Sequence, residues 1–229
     1  MNKLFPDLEF GSKEYCVKEE EYLDWLFKNG ILKESNQGNF YETAWIGPND
    51  MNLAQRLIAG GPEHRKFLRQ ILVSVDITAP LYWWKEFDTY KIGTTANSTS
   101  TMHKLASTPI TMECFETDDM DKSLQYNSGI LAGDNISTPC NEARGFIINY
   151  CEQLRLYYLK TQDVRYWKEL VRWLPEGWLQ TRTVTMNYEN VRTICHQRNG
   201  HKLTEWASFI KWAHTLPYAE ELIFYKNCQ

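Results

Sequence analysis

The residues best suited to chemistry fall in two stretches far apart in the chain. The first runs from Asp76 to His103 and packs aromatics (Tyr82, Trp83, Trp84, Phe87, Tyr90), opposite charges (Glu86, Lys91) and the polar run Asn97-Ser98-Thr99-Ser100-Thr101 behind one apolar segment. Five small polar residues in a row are poor core material, but their side chains and backbone suit hydrogen bonding to a ligand. By themselves they equally describe a polar loop. Ser100 is not read as a nucleophile, because no histidine with a carboxylate orienter can be placed beside it and an unactivated serine is weak. The second stretch runs from Thr183 to Trp206 and holds Asn187, Glu189, Asn190, His196, Arg198 and His201. At about 100° per residue, Asn187, Asn190, Val191, Ile194 and Arg198 share one helical stripe. Arg198 in the last turn complements the negative end of the helix dipole, with Gly200 as the stop. Its planar guanidinium also offers a bidentate grip on a phosphate or an anionic pyrimidine edge that a lysine would serve less well.

These side chains need a scaffold. Ile71, Val73, Val75 and Ile77 alternate with Leu72, Ser74, Asp76 and Thr78, the period-2 pattern of a strand. Pro80 closes that strand and suits the first turn of a helix from Leu81 to about Phe87. Upstream, Lys18 to Phe27 reads as an amphipathic helix stopped by Gly30, and Asn49 or Asp50 caps a helix through Ile58. Gly60-Gly61-Pro62 breaks that helix and leads into a charged turn with His64 and Arg65. From Leu105 to Thr138 periodicity is lost, which predicts a long loop or lid with short structure inside it. Its acidic residues, Asp118, Asp119, Asp121 and Asp134, lack the glycine and terminal glutamate of a calcium loop. Helices are expected over Asn141–Lys160, Val164–Trp173 and Thr204–His214. No internal repeat or low-complexity tract is present.

The order strand, Ala79-Pro80, aromatic helix, basic residue and Asn97-Ser98-Thr99-Ser100 resembles the flavin-dependent thymidylate synthases. Aligned on Pro80, Thr89-Tyr90-Lys91 stands where that family carries Arg-His-Arg, and eight residues rather than seven separate Lys91 from Ser100. The segment from Thr183 to Trp206 is similar to the family's late segment, a short strand feeding a helix that begins at an asparagine and passes an arginine, a histidine and a tryptophan. Glu189 replaces an arginine there, and Arg172 before Leu174-Pro175 is similar to a phosphate-binding arginine. The resemblance spans roughly Asn49 to Trp206. It implies an α/β (α+β) fold of the thymidylate synthase-complementing type, a small mostly antiparallel sheet covered by several long helices. It implies reductive methylation of dUMP, with carbon from methylenetetrahydrofolate and reducing equivalents from NADPH through FAD. By the same resemblance Arg198 holds and polarises the pyrimidine as the catalytic residue. Arg172, Glu86, Lys91, Asn97 and Ser100 complete the substrate set, and His64, Arg65, Tyr90, Asn187, Asn190 and His201 contact the flavin. A homotetramer with active sites between subunits is implied as well. Three other readings compete: a binding protein that kept the nucleotide and lost the flavin, an enzyme that modifies a different pyrimidine nucleotide using the altered face Asp88 to Lys91, and a purely structural oligomer, which leaves the polar run and Arg198 unexplained.

Composition bounds the alternatives. With 229 residues and 43% hydrophobic content, the chain can bury a full core, and one domain over residues 1–229 is expected. A net charge of -4 argues against a nonspecific nucleic-acid or membrane binder, so any phosphate must be met locally. No apolar run approaches the roughly 18 residues needed to span a bilayer, and a cytoplasmic protein is expected. Six cysteines without a Cys-x-x-Cys pair read as reduced and mostly buried. His196 and His201 stand five apart with Gly200 between them, unlike the i, i+4 pair of a zinc helix, so no metal site is expected; His103 and His214 lack any constellation. Nine tryptophans and thirteen tyrosines supply anchors for an oligomer interface or a wall for flat rings.

Overall fold

The computed structural model describes residues 13–28, 32–34, 40–42, 46–100, 104–117, 120–121, 123–129, 133 and 136–226. Thr101, His103, Asp118, Asp119, Asp134, Gly30 and Cys228 lie outside these. The chain divides after Ala59 into two compact units. In the first, α1 (Lys13–Lys28) precedes a hairpin of β1 (Leu32–Glu34) and β2 (Phe40–Glu42), and α2 follows over Pro48–Ala59. Proline at the first helical position of α2 loses no hydrogen bond, because the leading N–H groups of a helix have no partner inside it.

The second unit is built on a three-stranded antiparallel sheet. Its centre is β7 (Leu179–Asn187), flanked by β3 (Leu72–Pro80) and β4 (Thr95–Ser98). Along β3 the alternation read from sequence holds: Val73, Val75 and Ile77 are half-buried between exposed Leu72, Ser74, Asp76 and Thr78. On the exposed face hydroxyls pair across strands, Ser74 with Thr185 at 2.7 Å and Thr78 with Thr181 at 2.7 Å, while Thr183 donates to Asp76 at 2.5 Å. This threonine-rich central strand recruits part of the expected polar loop. Thr95 to Ser98 pairs with Thr185 to Arg182, and Thr99 extends the contact by donating its N–H and hydroxyl to the Thr181 carbonyl.

Pro80 caps α3 (Leu81–Phe87), which drives Trp83, Trp84 and Phe87 into the core. Between α3 and β7, β5 (Gln125–Asn127) and β6 (Ser137–Pro139) form a hairpin, followed by α4 (Cys140–Thr161) and α5 (Val164–Trp173). The segment expected to be a loop or lid therefore contributes to a core. Leu105, Ile110 and Phe115 are buried with Ile148, Cys151, Leu154, Leu170 and Trp178, because isolated apolar residues can pack without any helical or strand period. Past β7 the chain turns into α6 (Tyr188–Arg198) and α7 (Thr204–Ala213), then a π-helical turn at Ala219–Ile223. The second core gathers Trp83, Trp84 and Phe87 of α3 with Trp206 and Phe209 of α7; Trp83 lies 4.6 Å from Trp206 and 5.1 Å from Phe87 between ring centroids. This mixed architecture of small antiparallel sheets and several helices is the one the sequence implies.

Cys151 and Cys195 are buried free thiols, and burial pushes them up to about 11 and about 12; Cys114 and Cys140 are free and half-buried. No helix among the described residues is long and apolar enough to cross a membrane.

His196 on α6 gives the fold a pH signature. Its Nε2 donates to the Ile223 carbonyl at 3.2 Å, and burial, with Arg192 nearby, holds the imidazolium below its ordinary range. The unfolded chain therefore takes up a proton near the ordinary histidine value of about 6.5 that the folded chain refuses. Stability from this group is complete above that value and declines as pH falls below it. Urea midpoints measured between about pH 8 and 5.5 should fall less steeply for His196→Gln than for the parent.

Candidate functional site

Glu86, Tyr90, Arg198, His201 and Trp206 converge on one locus, each delivered by a different local device. Glu86 lies in the last turn of α3, on the helix whose other side anchors the aromatic core. Tyr90 follows two turn residues later, its N–H held by the Phe87 carbonyl. Arg198 is the last residue of α6, and Gly200, at φ +73°, turns the chain so that His201 comes back beside it. Trp206 enters from α7, fully buried, and brings its indole N–H and one ring face to the site.

The geometry is centred on one carboxylate oxygen. Glu86 Oε2 accepts from Trp206 Nε1 at 2.9 Å and forms an ion pair with Arg198, whose Nη1 lies 3.0 Å away, and His201 Nε2 stands 3.6 Å away. Arg198 Nε donates to the Tyr90 hydroxyl at 2.9 Å, and that hydroxyl donates to Gln197 at 3.0 Å. His201 Nδ1 accepts the Leu203 N–H at 3.2 Å, and its Nε2 lies 3.3 Å from Arg198 Nη1, so the imidazole is tied to the guanidinium as well as to its own loop. The guanidinium also lies over two rings, 4.7 Å from the Trp206 centroid and 5.6 Å from Tyr90. Such stacking and charge-assisted bonding fix its plane. Arg198 is 19% exposed and Glu86 35%, so both keep an edge toward solvent. Among the described residues, Glu86 Oε1 and Arg198 Nη2 have no hydrogen-bond partner.

Beside this cluster is a cleft of about 670 Å³ lined by Arg69, Tyr90, Lys91, Ile92, Asn187 and Glu189, among others. Its floor is a built turn. Asn187 caps α6 by accepting the Asn190 N–H at 3.0 Å, and the Asn190 amide donates to the Ile92 carbonyl at 2.6 Å and to Thr94 at 2.8 Å. Gly93 sits at φ +73°, where a Cβ would come within 2.6 Å of Asn187 Nδ2. Gly93→Ala is therefore expected to cost about 2 kcal/mol from the left-handed backbone and the displaced amide, read as a lower thermal midpoint.

The other sequence-derived residues stand elsewhere. Arg65 is held by both oxygens of Glu189 at 3.0 and 2.9 Å, while His64 is exposed on the preceding turn. Lys91 is exposed on the cleft wall. Asn97 is exposed on β4 opposite Thr183, and half-buried Ser100 follows, its carbonyl accepting the Lys104 N–H. Arg172 is on α5, paired with Glu169 at 2.8 Å, in a groove with Tyr150, Leu154, Arg165 and Tyr166. No described contact joins Arg172, Asn97 or Ser100 to the Arg198 cluster. Three participants were not singled out from sequence: Gln197, which completes the Tyr90 link; Gly93, whose position in Lys91-Ile92-Gly93-Thr94 signals a turn; and Arg69, which carries no local signature.

No protein-family model matches the sequence, and no curated protein matches it. Solved structures do match. The flavin dependent thymidylate synthase ThyX from Helicobacter pylori, complexed with FAD and dUMP, aligns at a TM-score of 0.52 and 15% identity over 90% of this chain and 91% of that one. A second structure of that enzyme with FAD and dUMP gives 0.52 and 15% over 90% of each chain. A UMP/dUMP methylase, PolB from Streptomyces cacaoi bound with 5-Br UMP, gives 0.51 and 12% over 79% of this chain and 84% of that one. At these identities the likeness is one of fold, and the fold is that of ThyX.

Proposed function

We propose that the chain binds a pyrimidine nucleoside monophosphate at the Glu86, Tyr90, Arg198 and Trp206 cluster and methylates its ring as a flavin-dependent thymidylate synthase-like enzyme. One observation carries this reading: a guanidinium locked in plane by Glu86, Tyr90 and Trp206 with one edge left over. A donor array fixed before the ligand arrives loses little entropy on binding, and it can stabilise charge that develops on a ring carbonyl during attack at the neighbouring carbon. In this role Arg198 Nη2 meets the carbonyl, Tyr90 and Glu86 hold the guanidinium, and Trp206 excludes water from its face.

The adjacent cleft suits a flavin dinucleotide. Arg69 and Lys91 are exposed cations without an ion-pair partner among the described residues, fit for a pyrophosphate. Tyr90 and the 91% exposed Ile92 offer apolar surface to a flat ring. FAD would supply the redox chemistry there, with NADPH as reductant and methylenetetrahydrofolate as carbon donor, while Asn187 and Asn190 shape the wall through the turn they brace. The phosphate of the nucleotide falls to Arg172 of a neighbouring copy in a homo-oligomer. The exposed Phe146, Tyr157, Val164 and Trp173 on α4 and α5 support such an assembly. Incubating the protein with FAD, NADPH, methylenetetrahydrofolate and dUMP or UMP should yield a nucleotide one methylene heavier by mass spectrometry. No product from any pyrimidine monophosphate would sink the enzymatic reading.

The Arg65 to Glu189 pair favours a second reading, a nucleotide-binding protein without flavin chemistry. It neutralises a cation on the turn that would otherwise face a flavin phosphate. Failure of FAD to co-purify or be taken up, with nucleotide binding intact, would select it.

A further inference from the structure

We infer that the outer edge of β3 is a docking site for an extended basic segment of a partner protein, which adds to the sheet as a fourth strand. In the order β3-β7-β4, β3 is an edge strand, and among the described residues none pairs with its outer side. The register shows which groups are open. Tyr188 N–H donates to the Ile71 carbonyl and Leu81 N–H to the Trp178 carbonyl, so the odd-numbered residues of β3 turn their backbone groups to β7. Those of Leu72, Ser74, Asp76 and Thr78 therefore face outward, and all four residues are exposed. Native proteins blunt such an edge with a bulge, a proline or a lysine. From Leu72 to Ala79 this edge carries none of these: its pairing with β7 runs without a slip, and Asp76 is its only charge.

A groove runs along the same edge. Val75 to Ala79 line a cleft of about 350 Å³ together with Glu205, Ser208, Phe209 and Trp212, which share one stripe of α7. A strand laid there takes main-chain hydrogen bonds from β3 and sends alternate side chains to opposite faces. One set meets Val75, Ile77, Phe209 and Trp212, which suits apolar residues. The other set lies beside Asp76 on the hydroxyl-bearing face. Among the described residues, the cleft is lined by the carboxylates of Asp76, Glu116 and Glu205 and by no lysine, arginine or histidine. Asp76 accepts from the Thr183 hydroxyl and Glu205 from the Tyr82 hydroxyl, both neutral donors, and among the described residues neither carboxylate is in an ion pair. Charge complementarity thus calls for a segment that alternates basic with apolar residues.

The probe is the peptide acetyl-Arg-Val-Arg-Val-Arg-amide, as long as Val75 to Ala79 and the same read in either strand direction, titrated into the full chain by fluorescence anisotropy. It should bind, and the Glu-Val-Glu-Val-Glu counterpart should bind at least about tenfold more weakly. Asp76→Asn combined with Glu205→Gln keeps both hydroxyl bonds and should weaken the arginine peptide about threefold or more. Strand addition has its own signature, since alternate amides of the guest face β3 and the rest face solvent. N-methylation of the two valines in one peptide and of the central arginine in another should therefore give opposite results, one abolishing binding and the other sparing it. Equal binding of the arginine and glutamate peptides, or no effect of the double substitution, overturns the basic partner. Equal tolerance of the two methylation patterns overturns strand addition. No binding of the arginine peptide overturns the inference, including where sedimentation shows that a second copy of the chain already occupies the edge.

Discussion

Arg198→Ala is expected to weaken binding of a pyrimidine monophosphate by roughly 30- to 900-fold, the equivalent of about 2–4 kcal/mol, with the fold retained by circular dichroism. The size follows from what the side chain organises. Arg198 joins Tyr90, Glu86 and the Trp206 ring at once, and its loss leaves Glu86 without its cation beside the incoming base. Lysine should recover little. An ammonium cannot bond Tyr90 and Glu86, stack on Trp206 and still present a planar donor edge. Wild-type affinity in the lysine variant would mean that charge alone does the work and that the fixed guanidinium plane is irrelevant.

Trp83→Ala should give the largest loss of stability, about 3–5 kcal/mol, read from urea or thermal unfolding. The indole is 1% exposed and touches Trp84, Phe87, Trp206 and Phe209, so truncation opens a cavity at the junction of α3 and α7. The milder pair of variants is more informative. Trp83 Nε1 is buried without a hydrogen-bond partner, so Trp83→Phe costs packing alone. Trp206→Phe also breaks the bond to Glu86, about 1–3 kcal/mol for a hydrogen bond to a charged acceptor, and it frees the carboxylate that orients Arg198. Nucleotide affinity should therefore drop in Trp206→Phe and hold in Trp83→Phe. Equal affinities in the two would separate the site from the aromatic core.

Local chemistry made much of the scaffold legible. The alternation through β3 and the Pro80 start of α3 are each written within a few residues, and the structure places them where that chemistry predicts. Pairings across long separations were not legible. Trp206 meets Glu86 over 120 positions and Arg65 meets Glu189 over 124, and no period or capping rule encodes either. The polar run at Asn97 illustrates the same limit. Its residue types describe a loop, yet the threonines of β7 supply the partner that makes Thr95 to Ser98 a strand. Likewise Leu105, Ile110 and Phe115 are too scattered to signal an element, and only the folded chain collects them into a core.

A structure determined with a pyrimidine monophosphate bound tests the account most directly. The ring edge should lie on Arg198 Nη2, with Trp206 behind the guanidinium. A nucleotide seated instead in the groove between α4 and α5, or anywhere that leaves Arg198 untouched, would contradict it.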